Sequence, residues 1–159
     1  MTPENHIEAA TDLLNAEEKG EQIRLLTQRY PEMGMDDAYA VQNAIYLAKL
    51  QQGRTVVGWK IGLTSKAMQY ALNINIPDSG ILFDDMIFSN GAIVPKKRFI
   101  EPRIEAEIAF IMKSSVGGAN VTRQEVIEAT DYVAPSLEIL DTRISVSYTH
   151  LTLPTNREV

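Results

Sequence analysis

Apolar positions near the N-terminus recur at helical spacing. Ile7, Ala10, Leu13 and Leu14 share one face behind Thr2-Pro3-Glu4, a cap followed by a first-turn proline, and Gly20 suits the end of that helix. Ile23, Leu25 and Leu26 predict a short second helical stretch that stops before Pro31. Ala38, Val41, Ile45 and Ala48 predict a third helix from near Asp36 to Gly53. The period changes at Thr55. Val56 to Ile61 reads as a strand, with Val57, Trp59, Ile61 and Leu63 on one face and Gly58, Lys60 and Gly62 on the other. Ser65 to Leu72 reads as a short helix, Ile76-Pro77-Asp78-Ser79-Gly80 as a turn, and Ile81 to Phe88 as a strand before the Asn90-Gly91 turn. A strand over 104–112 follows, then a capping box of Thr122 and Glu125 opening a helix to near Thr130, then a strand from Tyr132 to Leu140.

The strand Arg103-Ile104-Glu105-Ala106-Glu107-Ile108-Ala109-Phe110-Ile111-Met112 carries the sharpest chemical signal. Alternation projects Glu105 and Glu107 the same way, while Ile104, Ala106, Ile108, Phe110 and Met112 form an apolar row on the other face. The glutamate side continues through Ala109 and Ile111, so it does not read as a water-facing surface. Glu138 stands alone in the apolar run of the last strand. Three carboxylates among apolar neighbours repel and resist ionisation unless a cation compensates them. A hard, oxygen-seeking ion such as Mg²⁺ or Mn²⁺ does so. Half-exposed antiparallel strands show the same alternation, and on local pattern both readings stand.

Lys60, between two glycines, has room for something to lie against the backbone and can polarise a carbonyl or carboxylate; an edge-strand lysine that discourages aggregation has the same look. Thr64 and Ser65 open a helix whose free N–H groups suit a substrate carboxylate, and capping explains them equally well. Asp78 is either a turn stabiliser or a proton shuttle beside a metal. Arg103 and Arg143 each adjoin a ligand candidate and can balance charge or pair with a substrate carboxylate. Asp84 and Asp85 are less specific. His6 reads as a solvated helix residue.

Composition narrows the classes. The chain has 159 residues, 45% hydrophobic and 23% charged, the profile of a globular domain. It contains no apolar run of membrane-spanning length and no basic-then-apolar leader, which leads to an expected cytoplasmic location. A net charge of -6 disfavours nucleic acid and anionic membranes as partners. Absence of cysteine excludes disulfides and thiolate metal sites, and two histidines make a zinc site of the usual kind a poor fit.

Four ordered motifs, Gly58-Trp59-Lys60-Ile61-Gly62-Leu63-Thr64-Ser65, Pro77-Asp78-Ser79-Gly80, Pro102-Arg103-Ile104-Glu105-Ala106-Glu107 and Leu137-Glu138-Ile139-Leu140-Asp141-Thr142-Arg143, resemble the hydratase and decarboxylase branch of the fumarylacetoacetate hydrolase superfamily. The resemblance runs to Ile144. It implies an α+β fold, with a helical region over 1–54 and the first part of a mixed sheet or rolled β-barrel over 55–144. It further implies a Mg²⁺ or Mn²⁺ site on Glu105, Glu107 and Glu138, catalytic Lys60 and Asp78, and Thr64, Ser65 and Arg103 near a small-molecule 2-oxo acid. The implied activity is water addition to a 2-oxo-alkenoate in the catabolism of aromatic compounds by a homo-oligomeric parent. The alternative is decarboxylation of 4-oxalocrotonate, whose enzymes lack the turn acid, so Asp78 favours hydration. Ser79 replaces the usual aromatic residue of the hydratase turn, which bears on pocket shape. Residues 145–159, with His150, resemble a translated adapter or vector segment, and the expectation is an inactive N-terminal portion with incomplete strands.

Overall fold

The computed structural model describes residues 1–71 and 73–145. Leu72, the expected end of the short central helix, and all of the adapter-like tail after Ser145 lie outside the described residues. Helix α1 (Pro3–Lys19) begins as expected, the Thr2 hydroxyl accepting from Asn5 N, and ends at Gly20, whose φ of 69° is left-handed. Short α2 (Leu26–Arg29) and long α3 (Met35–Gln51) follow. Ala9 and Ala10 of α1 pack with Leu26, Tyr30 and Val41 as a buried cluster, small residues letting the two long helices approach. Among the described residues no helix is long and apolar enough to cross a membrane.

His6 is not a solvated residue. Its Nε2 lies 2.8 Å from Asp37 Oδ1, because packing of α1 on α3 brings it to the start of α3. The Gly34 N–H, then His6 and the Met1 α-amino group, hold Asp37 well below the usual carboxylate range.

Strand β1 (Val56–Gly62) leads through α4 (Lys66–Ala71) to β2 (Asp78–Phe83), its antiparallel partner. The structure shifts the expected second strand toward the N-terminus. Asp78, Ser79 and Gly80, read as a turn, pair with Gly62, Ile61 and Lys60. The strand stops at Phe83 because Asp84 closes the ladder: its N–H donates to Thr55 O, its carboxylate accepts from Thr55 N, both at 3.0 Å, and a 3₁₀ turn follows over Asp84–Met86. Helix α3 steadies this hairpin, since Gln42 Nε2 donates to Ser79 O at 3.0 Å and Ser79 N donates to the Tyr39 hydroxyl at 3.3 Å.

Residues 1–98 together with the segment from Arg143 form one compact unit, and residues 99–142 form a second. In the first, the returning segment pairs with Ile23: Ile23 N donates to Arg143 O at 2.9 Å and Ser145 N to Ile23 O at 2.7 Å. Arg143 Nη2 and Nε bind Glu17 Oε2 at 2.6 and 3.0 Å, while buried Lys49 takes Oε1 at 2.8 Å. Burial pushes the Glu17 carboxyl up, but the Arg143 and Lys49 cations more than reverse this and leave it below its ordinary value. Arg143, a candidate for substrate pairing by sequence, is thus engaged with Glu17.

The second unit is an antiparallel ribbon of β3 (Arg103–Met112) and β4 (Thr130–Leu140), connected through α5 (Arg123–Ala129). The capping box of α5 forms as expected: Glu125 N donates to the Thr122 hydroxyl at 3.2 Å and Thr122 N donates to the Glu125 carboxylate at 2.7 Å. The described residues contain two two-stranded sheets and no closed barrel, so the architecture is helices followed by β-structure.

Candidate metal centre

Register builds the carboxylate cluster. Antiparallel pairing sets Glu105 directly opposite Glu138 and Glu107 opposite Ser136, so all three acids share one face with Ala109 and Ala134. One ligand oxygen from each of Glu105, Glu107 and Glu138 lies within 4.8 Å of the others. Oxygens at opposite corners of the shell are about 4.0 to 4.2 Å apart around Mg²⁺ and about 4.6 to 5.2 Å around Ca²⁺, so the trio has the spacing of groups that could surround one divalent ion. Glu107 and Glu138 are half-buried and Glu105 is exposed. The all-oxygen, all-anionic donor set selects a hard cation over zinc or copper. On the opposite face Ile104, Ile108, Phe110 and Leu137 are each more than half exposed, so the apolar row expected there is formed and faces outward.

Neighbouring groups hold the ends of this ladder. Arg103 Nη2 lies 3.8 Å from Glu101 Oε1, an exposed pair. Asp141, just past β4, accepts from Ile100 N at 3.0 and 3.1 Å and from Glu101 N at 2.8 Å.

The remaining sequence-derived candidates belong to the other unit. Lys60 pairs with Gly80, and Asp78 with Gly62, so Lys60 and Asp78 share a face as diagonal neighbours on β1 and β2. The glycine beside Lys60 has a definite occupant: a Cβ placed on Gly62 would stand 2.1 Å from Asp78 Oδ1. The Asp78 carboxylate therefore lies over the bare backbone at residue 62. Beyond it, Leu63 has a φ of 52°, in the left-handed region that leucine rarely adopts. Gln69, only 3% exposed, secures that bend, its Nε2 donating to Leu63 O at 2.6 Å and its Oε1 accepting from Lys66 Nζ at 2.9 Å. Thr64 and Ser65 follow the bend as exposed residues at the start of α4.

Sequence reasoning missed Gln69 and Asp141. A glutamine in a short helix carries no signal of burial. An aspartate just past a strand does, because its carboxylate can take up loose backbone N–H groups.

No family model matches the chain. Individual relatives do. The 2-oxo-hept-4-ene-1,7-dioate hydratase of Escherichia coli is 49% identical over 138 residues, 87% of this chain. The 2-keto-4-pentenoate hydratase of Paraburkholderia xenovorans is 43% identical over 145 residues, 91% of the chain, and the 4-oxalocrotonate decarboxylase of Pseudomonas putida is 37% identical over 143 residues, 90% of it. The chain is homologous to this hydratase and decarboxylase family.

Solved structures show the same likeness. A 4-oxalocrotonate decarboxylase from Pseudomonas putida G7, complexed with magnesium and adipate, matches 93% of this chain at a TM-score of 0.87 and 35% identity. The same enzyme complexed with calcium and acetate matches 91% at a TM-score of 0.85 and 36% identity. The chain spans about half the length of the relatives it matches, 52% of the E. coli hydratase and 56% of each decarboxylase chain.

Proposed function

We propose that the protein is a divalent-metal-dependent hydratase that adds water to a 2-oxo-alkenoate, with 2-oxohept-4-ene-1,7-dioate as its substrate. The observation that carries this reading is the three-carboxylate cluster of Glu105, Glu107 and Glu138 set by the β3–β4 register. Magnesium and calcium in the homologous decarboxylase structures support a divalent cation there, Mg²⁺ or Mn²⁺ in this protein. Such an ion, once bound, supplies Lewis acidity that lowers the cost of enolate character in a 2-oxo acid.

The chain's own residues handle the rest. Lys60 is assigned to offset negative charge developing on the 2-oxo oxygen. Asp78 moves protons: one leaves C3 and one returns at C5, bringing the double bond into conjugation with the carbonyl. Water then adds its oxygen at C4 and a proton at C3, completing hydration without loss of carbon. Thr64 and Ser65 orient the C1 carboxylate, and Arg103 takes the second one, a role that suits a dioate. The greater identity to the dioate hydratase, 49% against 37% for the decarboxylase, supports this substrate and reaction.

The competing reading is decarboxylation of 4-oxalocrotonate, favoured by the close structural match to that enzyme. A chimera separates them. Residues 1–144 replace the matched segment of the E. coli hydratase, and Mg²⁺-dependent loss of dienol absorbance is followed with product identification. A hydroxylated seven-carbon product is expected. Release of CO₂ transfers the assignment to decarboxylase, and cation binding without turnover of either substrate removes the enzymatic reading.

A further inference from the structure

The same register that assembles the carboxylates is opposed by them. Glu105 and Glu138 are directly opposite in the ladder, and like charges in that relation repel. A slip of one residue would move Glu138 to the other face, opposite Ile104 or Ala106, and relieve the repulsion while dismantling the cluster. Apolar pattern resists such a slip only weakly, because β3 carries Ala109 and Ile111 on the acidic face as well as Ile104, Ile108 and Phe110 on the other. The connection does not fix the register either. It is a long segment containing α5 rather than a tight turn, and the ladder already shifts between Ile111 and Met112 at that end.

At the opposite end stands Asp141. Its Oδ1 accepts from both Ile100 N and Glu101 N, at 3.1 and 2.8 Å, and its Oδ2 from Ile100 N at 3.0 Å. The bonds cross from the end of β4 to the segment entering β3, next to the Arg103–Leu140 pair. A carboxylate holding backbone N–H groups makes charge-assisted bonds, roughly twice as strong as neutral ones. After a one-residue slip the carboxylate could no longer reach the same pair of N–H groups.

We propose that Asp141 is a positioning residue that pins β3 against β4 in the one register that brings Glu105, Glu107 and Glu138 together. The proposal rests on the metal reading of those three acids, and its test separates the two. The chain contains no cysteine, so engineered pairs report register directly. With Ala134→Cys fixed, Ala109→Cys reports the native register and Ile108→Cys or Phe110→Cys reports a slip of one residue in either direction. Disulfide yield for each pair is measured in the 159-residue chain with Asp141, Asp141→Ala and Asp141→Asn. Mn²⁺ affinity is read on the same three backgrounds, without the cysteines, from quenching of the aqueous Mn²⁺ electron paramagnetic resonance signal.

With Asp141 present, the 109/134 pair is expected to dominate. Asp141→Ala is expected to lower its yield, raise 108/134 or 110/134, and weaken Mn²⁺ binding by about 10- to 100-fold, the usual effect of losing a group that orients ligands. Asp141→Asn keeps an oxygen acceptor for both N–H groups and is expected to restore both readouts. An unchanged disulfide pattern in Asp141→Ala overturns the pin, whatever happens to Mn²⁺. If Asp141→Ala does not fold, Asp141→Ser, with a shorter side chain and one oxygen in place of the carboxylate, takes its place: a raised 108/134 or 110/134 yield supports the pin, and an unchanged pattern overturns it. If the parent chain binds no Mn²⁺, the metal reading falls and the pin is judged on the disulfide pattern alone.

Discussion

Replacing Gly62 by alanine isolates the position of one carboxylate. The added Cβ would meet Asp78 Oδ1 at 2.1 Å, far inside any real contact, with Asp78 Cγ next at 3.1 Å. Gly62 does not have a left-handed φ, so alanine brings no backbone strain of its own. Asp78 is exposed, and the clashing atom is the tip of its side chain, so rotation away from β1 relieves the overlap. An off-rotamer or displaced side chain costs about 1 kcal/mol, which lowers the melting temperature by roughly 2 to 4 °C in a chain of this size. Loss of a positioned proton-transfer group costs about 100-fold or more in rate, equivalent to about 2.7 kcal/mol in the barrier. Activity should therefore fall far more than stability. The assay pairs Mg²⁺-dependent dienol consumption by the chimera with its thermal melt, for Gly62→Ala beside Asp78→Asn. Retention of the parental rate in Gly62→Ala, while Asp78→Asn is impaired, would refute the idea that Gly62 sets the working position of the carboxylate. A melt lowered by more than about 10 °C would show that backbone, not side chain, gives way.

On the proposed metal reading, Glu107→Gln removes one of the three clustered carboxylates and should weaken Mn²⁺ binding at least about tenfold by paramagnetic resonance, with Mg²⁺-dependent turnover lost. Mg²⁺ at a hundred times its dissociation constant should stabilise the parent chain by about 2.7 kcal/mol, an increment that chelation removes in calorimetry and that Glu107→Gln lacks. Glu17→Gln leaves Lys49, with a side chain only 6% exposed, without its anion and should cost about 3 kcal/mol in urea unfolding. The folded-state pKa of Glu17 lies below its unfolded value near 4.5, so its contribution is present above pH 4.5 and is lost as pH falls through the folded value. Acid titration of unfolding stability should show this loss in the parent and not in Glu17→Gln. Thr122→Ala breaks the capping box of α5 and should cost about 1 kcal/mol, seen as faster amide exchange across Arg123–Ala129.

Much of the fold was legible because local signals and tertiary contacts agree there. The Thr2-Pro3 start and Gly20 stop frame α1, the Thr122–Glu125 box opens α5, and alternation in β3 puts Glu105 and Glu107 on one face. The errors fall where a distant partner decides the outcome. Pro77-Asp78-Ser79-Gly80 has turn chemistry, yet pairing with β1 draws Asp78, Ser79 and Gly80 into a strand. His6 sits on a polar stretch of α1, but helix packing delivers it to Asp37. Arg143, left open by sequence between charge balance and substrate pairing, binds Glu17. That Glu138 faces Glu105 depends on register across a long connection, which no local pattern encodes.

The Glu17–Arg143 pair joins residues 126 positions apart. Its consequence concerns the order of events on the ribosome. Synthesis delivers α1 and α3 first, and the β3–β4 ribbon can close as soon as Leu140 has emerged. The helical unit must wait for Arg143 and Ile144 before its ion cluster and its bridge to Ile23 can form. Helices translated before the β3–β4 ribbon are thus completed after it.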